Sequence, residues 1–213
     1  MSSTLPSTLA YAPLNTVDIS PVLSMVIASM RDNPQHIAAF GEDETIRQQR
    51  LSRLFGLMAT SPALQKHSVV ALLDGRIVGV VGLAAPGECQ PPASERLRML
   101  PSLFRLGFGP ARRAMTWLGA WAKHDLPEPH WHVGPVAVAP DLQGQGIGSA
   151  LMAQALEIVD AADGVAYLET DKDINVTFYQ RQGFEVVAED RVLDIPNWFM
   201  RRPALSASAQ IAA

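Results

Sequence analysis

The chain has 213 residues, 48% of them hydrophobic and 18% charged, which suits a single packed domain. Its formal net charge of −4 argues against a nucleic-acid partner, and no apolar run is long enough to span a bilayer. The first residues lack the charged-then-apolar pattern of a secretory signal, so a cytoplasmic location is expected.

Residues 1 to 7 are rich in Ser and Thr and are expected to be loose, with one domain over 8 to 202. Leu9 to Leu14 fits a first short strand. Cap residues between Asn15 and Ser20 precede Val22, Val26, Ile27 and Met30 at helical spacing, in a helix that ends before Asn33-Pro34. A second helix fits Asp43 to Ala59. Its apolar face carries Ile46, Leu51, Leu54, Phe55 and Met58, and its solvated side Arg47, Arg50 and Arg53; Ser61-Pro62 stops it. His67 to Leu73 and Arg76 to Ala85 are β-rich runs joined by Asp74-Gly75, the strongest short hairpin signal. Pro86 to Pro92 breaks the pattern. Cys89, the only cysteine, reads as a free exposed thiol, since no His stands at an obvious partnering position. Residues 94 to 123 read as two helices divided by Gly107-Phe108-Gly109-Pro110. Leu97, Leu100, Leu103 and Phe104 precede the break, and Met115, Trp117, Leu118 and Trp121 follow it. Arg96, Arg98, Arg105, Arg112 and Arg113 make this segment locally basic, as a solvated helix face would be.

The stretch Trp131 to Leu151 holds an apolar run over Val133 to Ala139, a turn at Pro140-Asp141, then glycines at 144, 146 and 148. From Ile147 the apolar residues recur at Leu151, Met152, Ala155, Leu156 and Val159, so the order is strand, glycine-rich loop, helix. A helix that starts this way offers free N–H groups and a positive dipole end to a phosphate. A nucleoside-triphosphatase loop needs Lys after the last Gly, where Ser149 stands, and the dinucleotide fingerprint needs Gly at that same position. Pro135 cannot donate a ladder hydrogen bond, so the strand is expected to be bulged or unpaired there. Asp163-Gly164 ends the helix. The strand 165–170 follows and lies parallel to the first, because a helix separates them. Asp173 to Gln182 is a short helix closed by Gly183. Phe184 to Val192 and Asn197 to Arg202 form a final antiparallel pair, interrupted by Asp194-Ile195-Pro196. From 203 to 213 a frayed tail is expected.

The spacing Gln143-x-x-Gly146-x-Gly148 after Val136-Ala137-Val138 resembles the acetyl-CoA loop of the GCN5-related N-acetyltransferases (GNAT). Downstream, Leu168-Glu169-Thr170 and the series Asn175, Tyr179, Gly183-Phe184 extend the likeness, which is nearest to the puromycin N-acetyltransferase type of small-molecule acetylase. It is strong over 131 to 202 and faint before that. The resemblance implies an α/β fold: a mixed, mostly antiparallel sheet with a splayed central parallel pair and flanking helices.

The resemblance also implies acetyl-CoA as the acyl donor. Its diphosphate would sit on Gln143, Gly144, Gln145, Gly146, Ile147, Gly148 and Ser149, and its pantetheine arm on the main chain of Val136, Ala137 and Val138. Tyr179 would be the acid beside the CoA sulfur, its alternative role being aromatic packing. Asn175 would bond the pantetheine amide or cap its helix. Glu169 is a candidate general base, with a pKa raised by partial burial, or else a structural or acceptor-orienting group. His130 and His132 share a strand face opposite Trp131, and either could receive the amine proton. The His-x-His pattern lacks a Cys or a further His at ligand spacing, so no metal is expected.

Family members use the segment equivalent to 94 to 123 for much of the acceptor pocket. Phe104, Phe108, Trp117, Trp121 and His132 are therefore candidates for its lining, the aromatics being equally suited to an ordinary core, and one Arg of this segment could meet a CoA phosphate. Direct acetyl transfer in a ternary complex to a small-molecule amine is expected, by a monomer or homodimer. The alternatives are acetylation of a protein or peptide amine, and a non-catalytic acyl-CoA-binding module.

Overall fold

The computed structural model describes residues 9–59, 61–90, 97, 100, 101 and 104–207. Among these residues seven strands form one sheet: β1 (Leu9–Pro13), β2 (Val69–Leu73), β3 (Arg76–Ala84), β4 (Trp131–Val138), β5 (Ala166–Thr170), β6 (Glu185–Val192) and β7 (Ile195–Arg202). Their order across the sheet is β1-β2-β3-β4-β5-β7-β6, and every neighbouring pair is antiparallel except β4 and β5. Among the described residues the helices with assigned bounds are α1 (Ile19–Met30), α2 (Pro34–Phe40), α3 (Glu44–Ala59), α4 (Pro62–His67), α5 (Phe108–His124), α6 (Ile147–Ala161) and α7 (Asp173–Gln180). This is the mixed sheet with a central parallel pair that the resemblance implies. None of these helices is long and apolar enough to cross a membrane, among the described residues.

Each face of the sheet buries its own core. Val22, Val26 and Ile27 of α1, Phe40 of α2 and Leu51, Leu54 and Phe55 of α3 pack with Val70 and Val80 on one face. On the other, Leu151, Met152, Ala155 and Val159 place the apolar stripe of α6 against Val78, Leu83, Val133 and Leu168. The spacing of those α6 residues is what lets a single helix cover the parallel pair and run as the crossover between its strands.

Four expectations need correction. The helices α2 and α4 begin at Pro34 and Pro62, where the sequence reading placed only stops. Proline at the first helical position loses no bond, because that N–H has no partner in any helix. β2 accordingly starts at Val69 and not at His67. In the last hairpin, Leu193 and Asp194 form a two-residue turn with φ of 53° and 64°, and Ile195 and Pro196 belong to β7. Pro196 lies beyond Trp198, the last residue of β7 paired with β5, so it interrupts no ladder on that side.

The fourth concerns α3. Arg47 is 4% exposed, while Ile46, expected on the apolar face, is 43% exposed. Arg47 donates to the carbonyls of Arg31, Gly41 and Glu42 and pairs with Asp32 at 2.7 Å, tying the ends of α1 and α2 to α3. The hydrogen bond from Arg47, reinforced by Arg31, outweighs desolvation and holds the Asp32 carboxyl below its usual range. A depressed carboxylate stabilises the fold above its unfolded pKa of about 3.9, and that contribution is lost as pH falls through the lowered value. In acid-unfolding curves, Asp32→Asn should therefore lose less stability than the unsubstituted protein across this window, having no such contribution to lose.

The bend in β4 is set by its neighbour. β3 pairs with β4 from Gly79 with Val138 to Val81 with Val136, then resumes at Leu83 with Val133. Gly82 sits in that gap, opposite the Gly134–Pro135 peptide, which is cis. A Cβ on Gly82 would overlap the Gly134 carbonyl and the Pro135 ring. On its other side β4 pairs with β5 only at Trp131 with Ala166 and His132 with Tyr167, so the strands diverge from Gly134 onward. Gly82→Ala is expected to cost about 1–3 kcal/mol in denaturant unfolding, because the backbone it would strike cannot yield like a side chain.

The first part of the expected 94–123 helical segment lies largely outside the described residues, as do residues 1–8. Of the expected loose tail, 203–207 are described: they end in a helical turn where the Ser206 N–H donates to Asp163 at 3.0 Å.

Candidate active site

The loop between β4 and α6 presents a bare helix terminus. Gly146 caps α6 in the left-handed region, with φ 84° and ψ −6°; no side chain caps the helix, and its first turn holds no acidic residue. The first-turn amides therefore keep free N–H groups at the positive end of the helix dipole. Nothing lies within 4 Å of where a Cβ on Gly144 or Gly146 would stand, so the ground above these amides is open. Gln143 fastens the loop, its Nε2 donating to the Val138 carbonyl at 3.1 Å and to Ser29 Oγ at 3.3 Å.

The divergence of β4 from β5 opens a cleft of about 1820 Å³ that runs from this loop to α5. Gly144, Gly146, Ile147, Gly148 and Ser149 line one end, Val136 and Val138 the middle, and Asn175, Tyr179, Glu169, His132, Trp117 and Trp121 the remainder. Most of the candidate residues are thus brought to one space. Ala137 is an exception: its side chain turns into the core under α1 and α3, so only its main chain is available. Gln145 turns back onto the Asp141 carbonyl at 3.5 Å and does not line the cleft. Phe104 and Phe108 are also corrected. They are 67% and 82% exposed and stand outside it, because Phe108 opens α5 before its buried stripe of Ala111, Ala114 and Trp117 begins.

His132 Nε2 lies 3.2 Å from Glu169 Oε2, and the Glu169 side chain is 4% exposed. Burial alone would lower the His132 pKa, but the charge and hydrogen bond of Glu169, with Asp125 behind it, raise it above the ordinary histidine value. Strand alternation places His130 and His132 together: both rings pack edge-on against Tyr167, while Trp131 enters the core under α6. His130, however, is engaged by Glu128 and Asp125 and does not line the cleft.

Tyr179 is buried, its ring packed against Phe178 and Phe184 at 5.1 and 6.0 Å. Burial, then the charges of Asp171 and Glu169, push its phenol far up, so it holds its proton at neutral pH. Asn175 does not cap α7, whose N-cap is Lys172; its Nδ2 donates to Thr170 Oγ1 at 3.1 Å.

His36 and Gln35 are among the cleft residues that escaped the sequence reading. His36, pushed below the usual histidine pKa by burial, has its ring among Phe40, Phe55 and Trp117. The Gln35 N–H donates to Asp171 at 2.7 Å, and its side-chain oxygen accepts from Asn197, whose own oxygen accepts from Trp121 Nε1. That chain fixes the Trp121 ring on the cleft wall. Both residues sit on α2, and the one signal for them is Pro34 as a helix start.

The sequence model described as the acetyltransferase (GNAT) family matches residues 31–184. Among solved structures, the chain is similar to a histone acetyltransferase HPA2 and related acetyltransferase from Corynebacterium glutamicum, with a TM-score of 0.70 and 20% identity over 92% of this chain and 96% of that one. It is similar to the polyamine N-acetyltransferase of Drosophila melanogaster, which forms N-acetylagmatine, at TM-score 0.62 and 16% identity over 91% of this chain and 99% of that one. The PaiA N-acetyltransferase of Thermoplasma acidophilum, solved in complex with coenzyme A, matches at TM-score 0.56 and 13% identity over 92% and 98%. At these identities the likeness is one of fold.

Proposed function

The chain belongs to the acetyltransferase (GNAT) family, and from that premise we propose that it moves the acetyl group of acetyl-CoA directly onto an amine of a small molecule, with both substrates held in the cleft at once. The observation that carries this reading is the free edge of β4 beyond His132, with the uncapped helix start at one end and Tyr179, Glu169 and His132 at the other.

The amides of 144 and 146–149 bind the diphosphate, a fit supported by the bare helix terminus and the open space above Gly146. Main-chain groups of Val136, Ala137 and Val138 hold the pantetheine arm along the edge that β5 leaves free. Acetyl-CoA supplies the acyl group already activated as a thioester. Glu169, paired with His132, takes the proton that the amine must lose as its nitrogen bonds the carbonyl carbon. Tyr179 gives its phenolic proton to the sulfur as the carbon–sulfur bond breaks. Holding two substrates in one pose supplies much of the acceleration, and no covalent bond to the protein is needed.

Trp117 and Trp121 wall the acceptor end beside the buried acid Glu169, which suits an amine carried on an apolar body. The similar folds include an enzyme that forms N-acetylagmatine, which also favours a small acceptor.

Thiol release from acetyl-CoA, measured across a panel of small amines and peptides, tests the reading. Small amines should turn over faster than peptides; the reverse would reassign the acceptor, and no release with any amine would leave a binding module. With the best amine, Glu169→Gln should lower kcat by about a hundredfold or more, the lower end of what a positioned base contributes, with acetyl-CoA affinity kept. An unchanged kcat would remove Glu169 as the base.

A further inference from the structure

Cys89, Asp125 and His130 meet in space from three separate segments: the turn after β3, the C-cap of α5 and the residue that leads into β4. One ligand atom from each lies within 4.8 Å of the others. Asp125 Oδ1 stands 2.8 Å from His130 Nε2, and Oδ2 stands 3.6 Å from Cys89 Sγ. The fold thus supplies the Cys partner that ligand spacing alone did not show, and Cys89 is half-buried, not exposed as the sequence suggested.

His130 makes this cluster unlike a chance gathering. Its Nδ1 lies 2.8 Å from the Glu128 carbonyl, a group that can only accept, so Nδ1 carries a hydrogen and Nε2 is the nitrogen that faces Asp125. The side chain is 5% exposed, and Nε2, although close to Asp125 Oδ1, makes no aligned hydrogen bond with it. A buried imidazole nitrogen set against a buried carboxylate oxygen with no aligned hydrogen bond between them is unfavourable unless something positive, a proton or a metal ion, stands there.

We propose that Cys89, Asp125 and His130 form a zinc site. A thiolate sulfur, an imidazole nitrogen and a carboxylate oxygen suit Zn²⁺, whereas Ca²⁺ and Mg²⁺ call for oxygen ligands alone. Metal–ligand distances of about 2.3 Å to sulfur and about 2.0 Å to oxygen put the two ligands of a tetrahedral ion about 3.5 Å apart, close to the 3.6 Å between Cys89 Sγ and Asp125 Oδ2. A thiolate and a carboxylate together balance the charge of the ion, and water completes the coordination. The outer contacts are in place as well: the Glu128 carbonyl fixes the histidine tautomer, and Gln90 Nε2 holds the Asp125 carboxylate at 3.0 Å. Glu88, Cys89 and Gln90 line the cleft, so the ion would pin that wall to α5 and to the start of β4. A nucleophilic role for Cys89 is disfavoured, because burial and Asp125 push its thiol up to about 11, away from thiolate.

Zinc titration by calorimetry into chelator-stripped protein, with cobalt(II) as a spectroscopic probe, tests the site without any acetyl transfer. One ion per chain, a thiolate-to-cobalt charge-transfer band and a melting temperature raised by zinc are expected. Cys89→Ala should lose the band and at least tenfold in affinity, while His132→Gln, outside the cluster, should keep both. Because Cys89 is the only cysteine, its alkylation in the unsubstituted protein reports the same site should the variant fail to fold; bound zinc should slow it at least tenfold. Absence of stoichiometric zinc binding, or equal binding by Cys89→Ala, or alkylation at the same rate with zinc, would overturn the site and leave the proposed acetyl transfer untouched.

Discussion

Gly146→Glu is expected to lower coenzyme A affinity by about a hundredfold or more, close to 3 kcal/mol of binding free energy at a tenfold per 1.4 kcal/mol. The substitution puts a carboxylate over the first-turn amides of α6, where the proposed diphosphate sits, and sets two anions against one another. It also forces a β-carbon onto a residue at φ 84°, a left-handed conformation that costs about 1–2 kcal/mol outside glycine. Since nothing lies within 4 Å of that carbon, no core atom is displaced and the fold should survive with a lowered melting temperature. Gly146→Ala separates the two effects, sharing the backbone strain without the charge; it should melt like Gly146→Glu yet keep most of the affinity. Undiminished calorimetric affinity in Gly146→Glu would take the loop out of the binding site.

Tyr179→Phe comes next in size: kcat should fall by about 10²–10³-fold, within the range of a positioned general acid, with acetyl-CoA affinity nearly unchanged. The ring would keep its contacts with Phe178 and Phe184, so loss of the hydroxyl alone is measured. Because burial holds the phenol protonated well above neutrality, deprotonation of this group should not limit the rate over the neutral range. Equal turnover by the variant would leave Tyr179 as a packing residue.

What the sequence disclosed and what it hid divide along physical lines. The parallel pair, the α6 stripe and the Asp74-Gly75 hairpin depend on local chemistry and regular spacing, and they stand where expected. Arg47 was misplaced because a charged residue at helical spacing reads as solvated, and only the fold shows three carbonyls converging on its guanidinium. The Leu193-Asp194 turn carries neither Gly nor Asn, so nothing marked it as the tight turn of the expected antiparallel pair. The aromatics before and after the glycine break looked alike in sequence. Which of them meet the cleft depends on where α5 starts to pack, so Trp117 and Trp121 line it while Phe104 and Phe108 face solvent.

The candidate site followed the same rule. Gly144, Gly146, Gly148, Tyr179 and Glu169 were legible because each belongs to a short contiguous pattern. The pairing of His132 with Glu169, and of Cys89 with Asp125 and His130, arises from strands and turns brought together over long stretches of chain.

A crystal of the protein grown with coenzyme A tests the central claim most directly. The account predicts diphosphate density against the amides of 144 and 146–149, and a pantetheine arm that follows Val136–Val138 and ends beside Tyr179. Coenzyme A bound elsewhere, with the mouth of α6 bare, would contradict it.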